Sequence, residues 1–230
     1  MAAILCYVTD RKALASPDTA AVLSVVRRAI AAGVDWVQIR EKELSGRPLV
    51  ALARAAVAAA RGSTTRILIN GRLDVAVAAQ AGGVHLGVDA LPIADVAAWC
   101  GQNVPQYAKA TRAKQDAGPA RGAGATAFLL GASCHSLAEA RAAERDGAHY
   151  IFFGPVYSTP SKTQFGEPQG LVRLEEVCHA VRIPVLAIGG ITLGNAHECL
   201  RAGAAGIAAI RLFQESEDLR KVVRELRGES

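Results

Sequence analysis

Residues Ile151–Gly170 read IFFGPVYSTPSKTQFGEPQG, and the fold turns on how this stretch is understood. The run Tyr150-Ile151-Phe152-Phe153 is continuously apolar, as a strand buried on both faces is. It stops at Gly154-Pro155, because proline has no N–H to give to a ladder. A loop follows with two hydroxyls and an ammonium, in Thr159, Ser161 and Lys162. Small hydroxyl residues, open backbone N–H groups and one cation can hold a phosphoryl group. Taken alone, Thr159-Pro160-Ser161-Lys162 reads better as a solvated loop, so its place in the chain decides. A loop directly after a strand, in a chain that alternates strands with helices, is where α/β folds carry their chemistry.

Working outward, the same pattern recurs. Short apolar runs at Ile4–Val8, Trp36–Arg40, Ile67–Asn70, Gly83–Gly87, Phe128–Ser133, Pro184–Ile188 and Gly206–Ile210 read as further strands. Helical periodicity fills the intervals, with Asp18 or Thr19 capping the first helix and Ser136 capping another, Glu139 standing at its capping-box position. Eight strands alternating with helices predict an α/β fold, a single (β/α)8 TIM barrel over residues 1–230. A doubly wound sheet is the alternative and leaves the eightfold count unexplained. Residues 102–127 are polar and glycine-rich, and read as an insertion or mobile segment.

The chain has 230 residues, 51% of them hydrophobic, which suffices for one sizeable core. Its net charge of +5 comes without any long Lys/Arg block, which argues against nucleic acid and for small anionic ligands. The five cysteines show no C-x-x-C spacing and sit among apolar residues, so they read as buried thiols in a reducing compartment. The start, MAAILCYVTD, lacks the basic segment of a signal peptide, and no apolar run approaches the ~20 residues of a membrane span. A cytoplasmic protein without nucleic-acid or membrane partners is expected, with a homo-oligomer left open.

The polar residues that stand out lie just beyond strand C-terminal ends. On the second strand, alternation separates Trp36, Gln38 and Arg40 from Val37 and Ile39, and puts Gln38, Arg40 and Lys42 on one face. A structural salt bridge of Arg40 with Glu41 or Asp10 is the competing explanation. Asn70, Asp89, His135, Thr159, Ser161 and Lys162 follow other strands. Cations around one barrel mouth can hold a diphosphate. Gly189-Gly190, with Ile210 and Arg211 at the end of the last strand, suits a second phosphate, since glycine lets backbone N–H groups approach it closely. Two anion sites in one mouth suggest two phosphorylated fragments being joined, or one being split. His135 titrates near neutrality in its unperturbed form and suits proton transfer. His85, inside an apolar strand, reads as a satisfied core histidine, and His149, His179 and His197 as inert outer residues.

Several of these segments carry a family likeness: VQIREK (Val37–Lys42), INGRLD (Ile69–Asp74), GVHLG (Gly83–Gly87), GASCHS (Gly131–Ser136), GPVYSTPSK (Gly154–Lys162) and AIGGIT (Ala187–Thr192). In this order they resemble the thiamine phosphate synthase/TenI superfamily over the whole chain except about 102–127. The resemblance implies a (β/α)8 barrel of thiamine biosynthesis that joins 4-amino-5-hydroxymethyl-2-methylpyrimidine diphosphate to a thiazole phosphate, releasing diphosphate through a dissociative step. It implies that Gln38, Arg40, Lys42, Asn70 and Lys162 hold the pyrimidine diphosphate, and that Thr159, Ser161 and Gly190 contact the thiazole phosphate. Arg40, Lys162 and His135 are then the candidates for the chemistry.

The departures are specific. The synthases usually have Asn-Asp where this chain has Asn70-Gly71, and His-x-Gly-Gln-x-Asp where it has His85–Ala90. Those aspartates bind Mg²⁺ in the family, so Gly71 and Ala90 remove both ligands and Asp89, one place early, is the remaining metal candidate. Arg211 stands where a serine is usual. The sister branch, the TenI-type thiazole tautomerase, needs no metal and uses a histidine matching His135. Asn70-Gly71-Arg72 looks like that branch, whereas the Gln38/Arg40/Lys42/Lys162 set favours the synthase, with Mg²⁺ as its cofactor. A non-catalytic barrel that binds thiamine precursors is the third reading.

Overall fold

Parallel pairing runs without a break from β1 (Ile4–Val8) through β2 (Trp36–Ile39), β3 (Arg66–Asn70), β4 (Gly83–Leu86), β5 (Leu129–Cys134), β6 (Tyr150–Phe153) and β7 (Val185–Ile188) to β8 (Gly206–Ala209). β8 pairs back onto β1, Ile4 opposite Gly206, which closes an eight-stranded barrel. The computed structural model describes residues 3–107, 127–158 and 167–229. Among these, the longer helices are α1 (Thr19–Ala31), α2 (Gly46–Ala59), α3 (Leu73–Ala78), α4 (Ile93–Asn103), α5 (Leu137–Arg145), α6 (Gly170–Ala180) and α7 (Leu193–Arg201), then short α8 (Arg211–Gln214) and closing α9 (Leu219–Arg227). The expected (β/α)8 barrel is the fold observed.

Alternation along each strand splits the buried residues into two layers. Leu5, Tyr7, Val37, Ile39, Ile69, Ile151, Phe153 and Ile207 face outward and pack with Val22, Val26, Leu52, Leu174, Val177 and Cys199 of the helices. Cys6, Val8, Trp36, Leu68, Tyr150, Phe152, Leu186 and Ala208 fill the interior. That interior is crowded by few aromatics. Trp36 and Tyr150 lie with ring centroids 4.7 Å apart, and a Cβ on Gly131 would come within 2.0 Å of the Tyr150 ring. Glycine on β5 is therefore the space that lets tyrosine sit inside the barrel.

The helix starts are set by side chains. Asp18 accepts the Ala21 N–H at 2.7 Å, and Ser136 accepts that of Glu139 at 3.2 Å. The Glu139 carboxylate does not return to Ser136; it accepts the N–H of His135 at 2.6 Å, one residue earlier. Thr192 and Asn195 form a capping box at the start of α7. At the far end, Arg227 of α9 reaches the Gly33 carbonyl at 2.8 Å and Asp35 at 3.4 Å, while Asp35 accepts the Leu5 N–H at 2.9 Å. The last helix is thus latched to the first strand.

Two expectations need correcting. α4 continues to Asn103, and Val104 and Tyr107 are buried, so residues 102–107 are part of the ordered shell; residues 108–126 lie outside the described residues. His149 is not an outer residue: it is buried, its Nδ1 accepts the Leu130 N–H at 2.9 Å, and Tyr107 packs edge-on against it. Arg211, read at the end of the last strand, is the first residue of α8. The cysteines are all free, and burial pushes the thiols of Cys100 and Cys134 up, to about 11 and about 12. No helix among the described residues is long and apolar enough to cross a membrane.

Candidate active site

The inward-facing residues at the C-terminal ends of the strands surround a cavity of about 340 Å³. β1 supplies Val8 and Asp10 to its wall, β2 Gln38, Arg40 and Lys42, and β3 Asn70 and Gly71. His85, Gly87, Val88, Asp89 and Ala90 come from β4, Ser133 and His135 from β5, Phe152 from β6, and Ile188 and Ile210 from β7 and β8. In a parallel barrel all these ends open on one face, so residues far apart in sequence meet there.

Gln38 is buried, and its Nε2 donates to Asn70 Oδ1 at 2.8 Å. Its Oε1 is buried without a donor among the described residues. An unpaired buried acceptor is costly, so this oxygen is a place for a ligand N–H or O–H. Arg40 is held through its backbone, whose N–H donates to Thr9 Oγ1 at 2.9 Å. The salt bridge of Arg40 to Glu41 or Asp10 is not formed. Glu41 is buried against other partners: the Thr9 hydroxyl donates to it at 2.6 Å, the Arg11 N–H lies 3.1 Å away, and the Arg11 guanidinium 3.8 Å away. Burial raises the Glu41 carboxyl above its usual range, partly offset by these hydrogen bonds. Glu43 is taken by Lys12 at 2.7 Å. Glu41 and Glu43 are thereby occupied, Asp10 and Asp89 also stand in the cavity wall, and Arg40 and Lys42 line it with no ion-pair partner among the described residues.

His135 lines the same cavity, with Nδ1 bonded to the Gly154 carbonyl. The carbonyl can only accept, so Nδ1 carries the hydrogen and, in the neutral ring, Nε2 carries the lone pair. Asp89 is exposed on the rim. Gly71, at φ +69°, and Ala90 offer no ligand atom from their side chains.

Other candidates lie apart. Gly189 and Gly190, at φ +96° and +67°, pack under the start of the β6 loop, where a Cβ on Gly190 would come 2.7 Å from the Ser158 carbonyl. The N–H groups of Val156 and Tyr157 donate to the Ile188 and Gly189 carbonyls at 2.9 and 3.0 Å. Neither glycine lines the cavity. Arg211 is half exposed and turns to Glu215 at 3.6 Å, so Ile210 represents the end of β8 in the wall. Thr159, Ser161 and Lys162 lie outside the described residues. Sequence reasoning missed Asp10, Ser133 and His85 as wall residues. The signal was there for two of them: Ser133 stands two before His135 and shares its face, and His85 has the inward parity of its strand.

The chain has relatives over nearly its whole length. A family model described as thiamine monophosphate synthase matches residues 5–105 and 108–213. A thiamine-phosphate synthase of Chlorobium luteolum is 38% identical over 223 residues, covering 97% of this chain and 91% of its own. One of Roseiflexus castenholzii is 34% identical, covering 97% and 86%. Among solved structures, thiamine phosphate pyrophosphorylase from Pyrococcus furiosus superposes with a TM-score of 0.74 at 31% identity, over 98% of this chain and 94% of that one. The chain belongs to the thiamine monophosphate synthase family.

Proposed function

We infer that this barrel is a thiamine-phosphate synthase, a transferase that joins an aminopyrimidine-methyl diphosphate to a thiazole phosphate and releases diphosphate. The observation that carries this reading is the pair Arg40 and Lys42, lining one cavity while Glu41 and Glu43 are occupied by Arg11, Lys12 and Thr9. Cations left to a barrel mouth match a leaving group that departs with several negative charges, and stabilising that charge is the main catalytic task of a dissociative step. The unpaired Gln38 Oε1 suits the exocyclic amine of the pyrimidine. Lys162, Thr159 and Ser161 belong to this assignment through the family likeness.

The residues present do not build a carboxylate site for Mg²⁺. Gly71 and Ala90 occupy the positions of the family's aspartates, Asp89 stands on the rim, and no cluster of three metal-ligating side chains exists among the described residues. The metal dependence of the reaction is itself a readout. The test is to incubate the purified chain with both substrates over a range of Mg²⁺ and measure thiamine phosphate. No product at any concentration would overturn the reading.

One observation favours a second reading, the thiazole tautomerase. His135 lines the cavity with its ring held by Gly154, where the aspartates are missing. Metal-free isomerisation of the thiazole carboxylate phosphate, lost in His135→Ala, would establish it.

A further inference from the structure

A line of hydrogen bonds crosses the barrel interior into the cavity and has no part in the assignment above. The Tyr150 hydroxyl lies 3.1 Å from His85 Nδ1, and His85 Nε2 lies 2.9 Å from Ser133 Oγ. Tyr150 is fully buried, His85 almost so, and Ser133 opens on the cavity.

The direction of these bonds follows from the donors and acceptors present. Tyr150 has one hydroxyl hydrogen, and among the described residues His85 Nδ1 is the acceptor its oxygen meets. A buried O–H without an acceptor is costly, so Tyr150 donates to Nδ1. Burial holds its phenol well above the usual range, which keeps that hydrogen in place. A neutral imidazole with one accepting nitrogen carries its hydrogen on the other. Nε2–H therefore donates to Ser133 Oγ. Ser133 cannot donate back, and its hydroxyl meets no second group among the described residues. Its hydrogen turns to the cavity.

We propose that Tyr150 and His85 are positioning residues that fix the Ser133 hydroxyl so that its one hydrogen is left for the ligand. The wall at Ser133 then offers that hydrogen to a lone-pair acceptor, a phosphate oxygen or an unprotonated ring nitrogen. Only the choice of probes rests on the synthase reading; the bond direction belongs to the protein alone.

The direct test is ¹⁵N NMR of the histidine rings in the full chain, with His85→Asn to assign the signal. The expected result is a His85 with protonated Nε2 and pyridine-type Nδ1; the opposite tautomer overturns the proposal. The second test measures binding of inorganic diphosphate and, separately, of the unphosphorylated hydroxymethyl-aminopyrimidine. Ser133→Ala should weaken one of them about fivefold, the worth of one ordinary hydrogen bond, and which one identifies the acceptor. Tyr150→Phe should weaken the same probe and have no further effect on top of Ser133→Ala. Equal effects of Tyr150→Phe with and without Ser133, or no loss for either probe in Ser133→Ala, would sink it. Neither test needs turnover, so a failed coupling assay leaves both intact.

Discussion

The Thr9 hydroxyl donates to the buried Glu41 carboxylate at 2.6 Å, and this bond ties the end of the first strand to the end of the second. Thr9 Oγ1 also accepts the Arg40 N–H at 2.9 Å. One small hydroxyl therefore both satisfies a buried acid and holds the backbone of the cation that faces the cavity. Thr9→Val keeps the shape and removes both bonds. It should lower stability by about 1–3 kcal/mol and reduce kcat/KM, measured by denaturant unfolding and by the coupling assay.

Glu41 gives the site a pH signature. Its folded pKa is raised, chiefly by burial, so the folded chain holds this proton more tightly than the unfolded one. The sign follows by linkage: the stabilising contribution is fully present below the unfolded value and is lost as pH rises through the folded one. Glu41→Gln removes this titration. The stability of the native chain relative to Glu41→Gln should rise as pH falls from neutrality toward the ordinary carboxyl range. A flat difference across that range would contradict the assignment.

Arg40 and Lys42 should differ in their tolerance. A charge-assisted hydrogen bond is worth about 1.5–3 kcal/mol, so Arg40→Gln should cost about 10- to 100-fold in kcat/KM. Arg40→Lys keeps the charge but loses the planar fork, and should recover only part of this. Steady-state kinetics with the pyrimidine diphosphate varied provide the measurement.

Gly131→Ala is expected to disrupt folding, although the change is one methyl group. Its Cβ would meet the Tyr150 ring at 2.0 Å, deep in the barrel and with Trp36 packed behind. Overpacking of this kind costs about 1–3 kcal/mol or more. Gly131→Ala combined with Tyr150→Leu should recover stability, read by thermal unfolding.

Restoring both aspartates tests the missing metal ligands. A Cβ on Gly71 would meet no atom within 4 Å among the described residues, though the φ of +69° there adds strain for any side chain. Gly71→Asp with Ala90→Asp should create Mg²⁺ binding detectable by calorimetry and shift the coupling reaction to lower Mg²⁺ concentrations. Unchanged Mg²⁺ affinity would show that other groups of the mouth set it.

The strands were legible because each is a short apolar run between breakers, and parallel strands buried on both faces leave that trace. Gln38, Arg40 and Lys42 were legible as one face because strand periodicity is strict. The hydrogen-bond partner of Ser133 was not, because strand parity puts a serine on a face without naming its neighbour from another strand. The competing explanation, a salt bridge of Arg40 with Glu41 or Asp10, is not what the structure forms. Adjacent residues on a strand point to opposite sides, and the acid turned to Thr9 and Arg11 on the neighbouring loop.

By itself the sequence determined the eight-stranded alternation, the inward parity of each strand and the family, since these depend on local patterns read along one chain. Which polar groups meet, which cations are left without a carboxylate, and which way the Tyr150–His85–Ser133 hydrogen bonds run were decided only when barrel closure brought strands far apart in sequence together. Pairing and burial are properties of neighbours in space, and a chain in one dimension does not state its neighbours.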